Sequence, residues 1–127
     1  TVGYRTTRAI GSGAEQEAFR YLLGKGLSPV AQNFCCRGGE IDLIMLDDGC
    51  LTFIEVRFRS ASSFAPPSHT VDYRKQNKII RTAAMFVARN KRYVNYTMRF
   101  DVVAVEGIGD RSIRWISDAF RPDNSTL

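Results

Sequence analysis

Apolar residues recur along the chain at both helical and strand-like spacings. Residues 11–23 repeat apolar positions every three or four residues, which predicts a first helix that Gly24 and Gly26 end. Residues 72–90 place apolar side chains on one face and basic side chains largely off it. This pattern predicts a second, amphipathic helix whose inner face packs on a sheet.

Runs of β-branched, aromatic and alternating apolar residues predict four strands, at residues 40–47, 51–58, 96–106 and 113–116. The first two flank Asp48-Gly49, a pair typical of two-residue β-hairpin turns. Residues 60–68 are small, polar and proline-bearing, so they are expected to form a loop. A further short strand is proposed near Val71.

The order of these elements predicts one α/β domain in which a mixed sheet is flanked by helices. We expect the domain to span residues 11–120, after a flexible N-terminal arm at residues 1–10 and before a C-terminal tail at residues 121–127. A length of 127 residues with 44% hydrophobic composition suits one such domain. Because no apolar run approaches the roughly 18 residues that span a bilayer, a membrane protein is excluded and a cytoplasmic location is expected.

Cysteine and histidine usage argues against a structural zinc site. The sequence has three cysteines, of which Cys35 and Cys36 are adjacent, and one histidine, His69. Four zinc ligands at structural spacing are therefore missing. The odd cysteine count indicates a reducing compartment rather than a disulfide framework.

Positive charge is concentrated in the middle of the chain. The whole sequence has 18 basic and 13 acidic residues, a net charge of +5. Residues 56–99 alone hold ten basic residues and one acid, directly after an acidic cluster. This distribution favours a polyanionic partner such as nucleic acid, with a solvated basic helix face as the alternative.

Two acidic residues are predicted to face each other across the hairpin. A two-residue turn at Asp48-Gly49 places Asp42 opposite Glu55, with Cβ atoms about 4.5 to 5.5 Å apart. Like charges at that distance repel, and a bound Mg²⁺ or Mn²⁺ would offset the repulsion. Arg57 lies on the same face, one residue pair along. The apolar residues predicted to share that face, which favour a cleft over open solvent, are Ile44, Leu46, Leu51 and Phe53.

This arrangement depends on the register of the hairpin, and exposed acids on a wet sheet face are the alternative. Glu15 also has two interpretations. Ser12 and Glu15 fit the S-x-x-E capping box, in which the glutamate folds back onto the start of its helix. Alternatively, Glu15 continues the apolar stripe of Ala18 and Leu22 and reaches towards the sheet.

Several motifs, in order along the chain, resemble a known family. An aspartate, a short hairpin and then Glu-x-Lys form the PD-(D/E)xK nuclease core, and here Asp42 is followed by Glu55-Val56-Arg57. With its further motifs the chain resembles the YraN family of uncharacterised bacterial proteins. These motifs are Gly11-x-x-Ala14-Glu15-x-x-Ala18, Gly38-Gly39-Glu40-Ile41-Asp42-Leu43-Ile44, Arg74-Lys75-Gln76 and Arg99-Phe100-Asp101-Val102-Val103.

The YraN family is held to be a distant relative of archaeal Holliday-junction resolvases. The resemblance therefore implies a restriction-endonuclease-like fold and a metal-dependent endonuclease that cuts DNA, in particular branched or junction-like DNA. Glu15, Asp42 and Glu55 match metal-binding acids for Mg²⁺ or Mn²⁺, and Arg57 takes the place of the motif lysine in this catalytic set. Because arginine stays charged, it can position water or stabilise phosphorane charge, but it cannot accept a proton.

Basic and amide side chains around this set are expected to grip the flanking phosphates; they are Arg59, Arg74, Lys75, Gln76, Lys78 and Arg81. In the loop, His69 is either a general acid or a bystander. Tyr4, Arg5 and Arg8 belong either to an arm on nucleic acid or to an ordinary disordered terminus. The alternatives to a nuclease are a non-catalytic nucleic-acid-binding module of the same fold and a protein-interaction domain. A homodimer is suggested only by analogy with two-fold resolvases.

Overall fold

The computed structural model describes residues 2–59, 71–107 and 112–122, with the side chains of the first helix from Gly13 onwards. Its elements are α1 (Val2–Gly24), β1 (Ser28–Cys36), β2 (Gly39–Asp47), β3 (Cys50–Arg59), α2 (Tyr73–Arg89), a 3-10 turn (Lys91–Tyr93), β4 (Thr97–Glu106) and β5 (Ser112–Phe120). Within these residues, one five-stranded sheet has the order β1-β2-β3-β4-β5. Strands β3 and β4 are parallel and the other neighbours are antiparallel. The predicted mixed sheet is confirmed, in a small α/β domain consistent with a restriction-endonuclease-like fold.

The central hairpin has the predicted register. Asp48 and Gly49 both have positive φ, 50° and 85°, as expected for a type I′ turn, whose twist matches that of the two strands. Asp47 pairs with Cys50, and the pairing continues in step to Leu43 and Ile54. The dipeptide therefore fixes which residues of β2 and β3 lie opposite each other.

The first helix begins earlier than predicted. Helix α1 starts at Val2 rather than at residue 11, so residues 2–10, predicted as an arm, have helical backbone. Ser12 consequently lies inside the helix and is not its N-cap, so the capping box was wrong. The predicted end is confirmed, because Gly26 adopts φ 97° and the Leu27 amide donates to the Leu22 carbonyl at 3.1 Å, closing a Schellman-type C-cap.

Two strands differ from the sequence prediction. Strand β1 was missed because the segment contains Pro29 and shows no regular alternation between exposed and buried positions. Strand β5 extends over residues 112–120 rather than 113–116. Val71, near which a strand was proposed, lies in a bend just before α2, and the residues that precede it lie outside the described residues. The predicted loop at residues 60–68 lies outside the described residues.

One helix covers each face of the sheet. Buried residues of α2 and the sheet form the α2-side core, which includes Ile41, Ile44, Phe53, Ile79 and Phe86. Buried residues of α1 and the opposite face form the α1-side core, which includes Ala18, Leu22, Leu43, Met45 and Ile54. The hairpin of β2 and β3 therefore lies between two apolar layers. No helix of the described residues is long and apolar enough to cross a membrane.

Helix α2 matches its prediction closely, with Asp72 and Asn90 as its caps. The Asp72 carboxylate accepts a hydrogen bond from the backbone N–H of Lys75 at 2.8 Å. At the other end, the backbone N–H of Asn90 donates to the Val87 carbonyl. The buried residues of the helix are Ile79, Thr82, Ala83, Phe86 and Val87. Burial of this face leaves the basic side chains of α2 along its outer surface.

Asp101 joins the far end of the sheet to the hairpin turn. Its fully buried carboxylate accepts from Arg99 at 2.9 Å, from the Trp115 indole at 2.9 Å and from the Asp118 amide at 2.8 Å. Arg99 also donates to Asp47 at 2.8 Å. Because the buried charge is paired and hydrogen-bonded, this arrangement is a structural anchor.

The backbone at the start of β2 touches α2 so closely that only glycine fits. A Cβ atom on Gly39 would lie 2.8 Å from the Thr82 hydroxyl oxygen, whereas one on Gly38 would meet nothing within 4 Å. The Thr82 side chain cannot move away freely, because it is buried and donates to the Lys78 carbonyl at 2.7 Å. The end of the β1–β2 hairpin is thus held against the middle of α2.

We expect Gly39→Ala to lower the free energy of unfolding by about 1–3 kcal/mol, the usual cost of overpacking. Gly38→Ala is the matched control and should change it by less than about 0.5 kcal/mol. Urea denaturation of the two variants and the unmodified protein measures both values. Equal stability of the two variants would contradict this close contact.

Candidate functional site

Asp42 lies where β2 and β3 stop pairing. The regular register ends at Leu43 and Ile54, so Asp42 and Glu55 are the next residues on the two strands. Instead of a main-chain pair, the Asp42 carboxylate accepts the Val56 amide of β3 at 2.8 Å. This bond replaces a missing main-chain partner and fixes the carboxylate beside Glu55. Both acids are buried, with 8% and 5% of their surface exposed.

The alternation of side chains along β2 also breaks at Asp42. Ile41 and Ile44 both belong to the α2-side core, although residues three apart on a regular strand point to opposite faces. Leu43, between them, belongs to the α1-side core. On β1, Asn33 lies between the partners of these residues and has φ 53°. The predicted apolar face is confirmed, because Ile44, Leu46, Leu51 and Phe53 all belong to the α2-side core. The side chains of β2 do not alternate regularly through Asp42, however, so Asp42 can interact with groups on both sides of the sheet.

Glu15 approaches Asp42 from helix α1, on one side of the sheet. Its carboxyl group lies close enough to the side chains of Asp42 and Asn33 to interact with both. Partial burial, and then the negative charges of Asp42 and Glu40, raise its pKa to about 7. The sequence left Glu15 open between a cap and an inward-pointing residue, and the structure places it at the paired acids.

Glu55 approaches Asp42 from the α2 side of β3. Burial, and then the charge and hydrogen bond of Asp42, raise the pKa of Glu55 well above its ordinary value. Two cations act in the opposite direction: the Arg57 guanidinium lies 3.4 Å and the Lys75 ammonium 3.6 Å from the same oxygen, Oε2. Asp42 thus has a carboxyl group of a different element on each side of it, Glu15 of α1 and Glu55 of β3.

The donor set suits a hard divalent cation. Carboxylate oxygens are the ligands that Mg²⁺ and Mn²⁺ prefer, and a cation would offset the repulsion among the three acids. In the described part of the chain, however, no three His, Cys, Asp or Glu side chains are already arranged as metal ligands. The carboxyl groups interact with one another instead, so binding of a cation would require them to rearrange and to release protons.

Lys75 is the residue whose place the sequence missed. We predict it as a phosphate contact from the sequence, and in the structure the first turn of α2 brings its ammonium group to the acidic centre, 3.6 Å from Glu55. No sequence signal locates it there, since its position depends on the connection between β3 and α2. Arg57 was predicted at this centre and is found there.

The other predicted contacts fall into two groups. Arg59 is buried, and the Gln76 side chain donates to the Val71 carbonyl at 2.9 Å, so both lie within the fold. Exposed side chains on α2 form the second group: Arg74, Lys78 and Arg81. His69 and the side chains of Tyr4, Arg5 and Arg8 lie outside the described residues.

The raised carboxyl pKa values predict a particular dependence of stability on pH. The folded protein binds more protons than the unfolded chain between the ordinary carboxyl pKa of 4.5 and the raised values at Glu15 and Glu55. The contribution of these groups to stability is therefore full below that window and is lost as the pH rises through it. In metal-free buffer with EDTA, Glu55→Gln should reduce the loss of unfolding free energy between pH 5 and pH 8.

Urea denaturation at pH 5, 6.5 and 8 measures this dependence, with Glu17→Gln, a partly buried glutamate of α1 outside the group of acids around Asp42, as the control. We expect the control to keep the slope of the unmodified protein. An unchanged slope in Glu55→Gln would show that its carboxyl group does not carry an additional proton in the folded state.

Comparison with known sequences places the chain in a family. Residues 14–105 match the model of the uncharacterised protein family UPF0102. A UPF0102 protein of Pseudomonas putida is 41% identical over 116 residues, covering 90% of this chain and 93% of the relative. One from Saccharophagus degradans is 43% identical over 110 residues, covering 87% and 91%. The chain therefore belongs to the uncharacterised protein family UPF0102.

Proposed function

We propose that this protein is a divalent-metal-dependent endonuclease of the PD-(D/E)xK superfamily that hydrolyses phosphodiester bonds in DNA. The observation that supports this most directly is the meeting of Glu15, Asp42 and Glu55 at one point of the sheet. Carboxyl groups that repel one another are costly to bring together, and perturbed pKa values of this kind cluster at functional sites. The cations beside them suit a substrate that is itself negatively charged.

Each residue of the centre has a role in this proposal. Asp42, Glu55 and Glu15 would hold Mg²⁺ or Mn²⁺, with Asp42 kept in position by the Val56 amide. When bound, the metal would polarise the scissile phosphate and lower the pKa of a coordinated water. Glu55 also orients the two cations, because Arg57 and Lys75 both contact its Oε2 oxygen.

Arg57 and Lys75 divide the work of the single lysine in the nuclease motif. The guanidinium of Arg57 stays charged and is suited to stabilise negative charge on the phosphoryl group. Lys75 brings an ammonium group to within 3.6 Å of Glu55 from a different element. The departure from the motif at Arg57 therefore does not leave the centre without a lysine.

The substrate proposed is branched or junction-like DNA, in keeping with the resemblance to junction resolvases. A two-fold homodimer would suit a two-fold junction. The basic face of α2 supports a polyanionic substrate in general, because phosphate contacts carry affinity without specifying sequence or branching.

The direct test is cleavage of labelled junction, flap, duplex and single-stranded oligonucleotides with Mg²⁺ or Mn²⁺. Glu55→Gln should reduce the cleavage rate about 100-fold or more, and Lys75→Ala should reduce it by at least about tenfold. Glu17→Gln, a partly buried position on the same helix as Glu15, should leave it unchanged.

Cleavage that survives in Glu55→Gln would overturn the proposal, because the activity would then not come from this centre. Salt-sensitive binding without any cleavage by the unmodified protein would instead favour the non-catalytic binding module. Absence of both binding and cleavage would favour the protein-interaction domain.

A further inference from the structure

A small cavity lies between α2 and the β1–β2 turn, outside the acidic centre. Its volume is about 220 Å³. The residues that line it are Cys36, Gly38, Lys78, Arg81, Thr82 and Met85. Its lining residue Thr82 is also the residue against which Gly39 packs, since a Cβ on Gly39 would lie 2.8 Å from the Thr82 hydroxyl oxygen. The cavity is thus a built feature of the helix–hairpin contact.

The lining of this cavity favours an anion. Among the described residues that line it, Lys78 and Arg81 are the charged ones and none is acidic. The thiol of Cys36 lies in the same environment. Its pKa is lowered mainly by a hydrogen bond from the Gly38 backbone and, to a smaller extent, by the charge of Arg89. Main-chain N–H groups and cations therefore converge on one small space.

The cavity continues the line of cations that starts at the acidic centre. Lys75 contacts Glu55, and Lys78 follows three residues later on the same side of α2. One helical turn advances about 5.4 Å, which is between one and two nucleotide steps of about 3.4 Å along a strand axis. A strand with one phosphate at the acids could therefore place a neighbouring phosphate at the cavity.

We propose that the cavity of Cys36, Gly38, Lys78 and Arg81 is a phosphate subsite for the nucleic-acid strand that leaves the acidic centre along α2. This inference rests on the proposed function, since it assigns the path of the substrate at the same site. It adds the β1–β2 turn to the nucleic-acid interface. It also defines the path of the nucleic-acid strand along the helix, from the N-terminal towards the C-terminal part of α2. Cys36 takes no chemical part and serves as a built-in reporter.

The test measures alkylation of Cys36 by iodoacetamide in a Cys35→Ser background, with peptide mass spectrometry as the readout. Cys50 is the internal reference, because it lies beside the β2–β3 turn, whereas Cys36 lies beside the β1–β2 turn at the other end of β2. Saturating single-stranded or junction oligonucleotide is added in EDTA, so that no metal-dependent cleavage occurs. Binding is followed in parallel by fluorescence anisotropy.

We expect bound oligonucleotide to slow alkylation of Cys36 at least fivefold and to leave Cys50 unchanged. Lys78→Ala combined with Arg81→Ala should abolish the protection and reduce the slope of log affinity against log salt by about one per removed contact. Lys91→Ala combined with Arg92→Ala removes the same charges from an exposed position beyond α2 and should preserve the protection.

The outcomes separate this subsite from the proposed function. If an oligonucleotide binds and Cys36 keeps its full reactivity, the subsite is wrong while the nuclease proposal stands. If protection persists in the Lys78 and Arg81 double variant, the cavity cations do not hold the phosphate and the subsite is also wrong. If no oligonucleotide binds at all, the proposed function and the subsite fall together.

Discussion

The hydrogen bond from the Val56 amide to the Asp42 carboxylate determines the rest of the site. It occurs where the β2–β3 ladder ends, and it substitutes a side-chain oxygen for a main-chain one. A carboxylate held there has Glu55 on one side of the sheet and Glu15 on the other. The irregularity of β2 at this point costs the hairpin a main-chain pair. In exchange, within the described residues, it lets an acid on the α1 side of the sheet and an acid on the α2 side both reach Asp42.

The charge distribution follows from this arrangement. Three carboxyl groups lie behind the cations of β3 and α2, so the centre combines an acidic interior with a basic rim. Arg57 and Lys75 form the inner part of the rim, and the exposed cations of α2 continue it along the helix. Such an order suits a metal held between protein acids and a phosphodiester, because each layer carries the charge opposite to the next.

The sequence predicted the parts of the site that depend on local rules. Asp48-Gly49 specifies a two-residue turn, which fixes the register and brings Asp42 to Glu55. The apolar period of α2 located that helix to within a residue at each end. The place of Lys75 and the break at Asp42 could not be foreseen. They depend on how the first turn of α2 approaches Glu55 and on Asn33 of β1, a strand with no regular pattern.

The central claim is that Asp42 and its neighbours form one cation site, and thermal unfolding with and without Mn²⁺ tests it most directly. Asp42→Asn keeps an oxygen for the Val56 amide but removes the charge. At 100 times its Kd, bound Mn²⁺ adds about 2.7 kcal/mol to the free energy of unfolding. The account predicts that Mn²⁺ therefore raises the melting temperature of the unmodified protein and leaves that of Asp42→Asn unchanged. An equal rise in both proteins, or none in either, would contradict it.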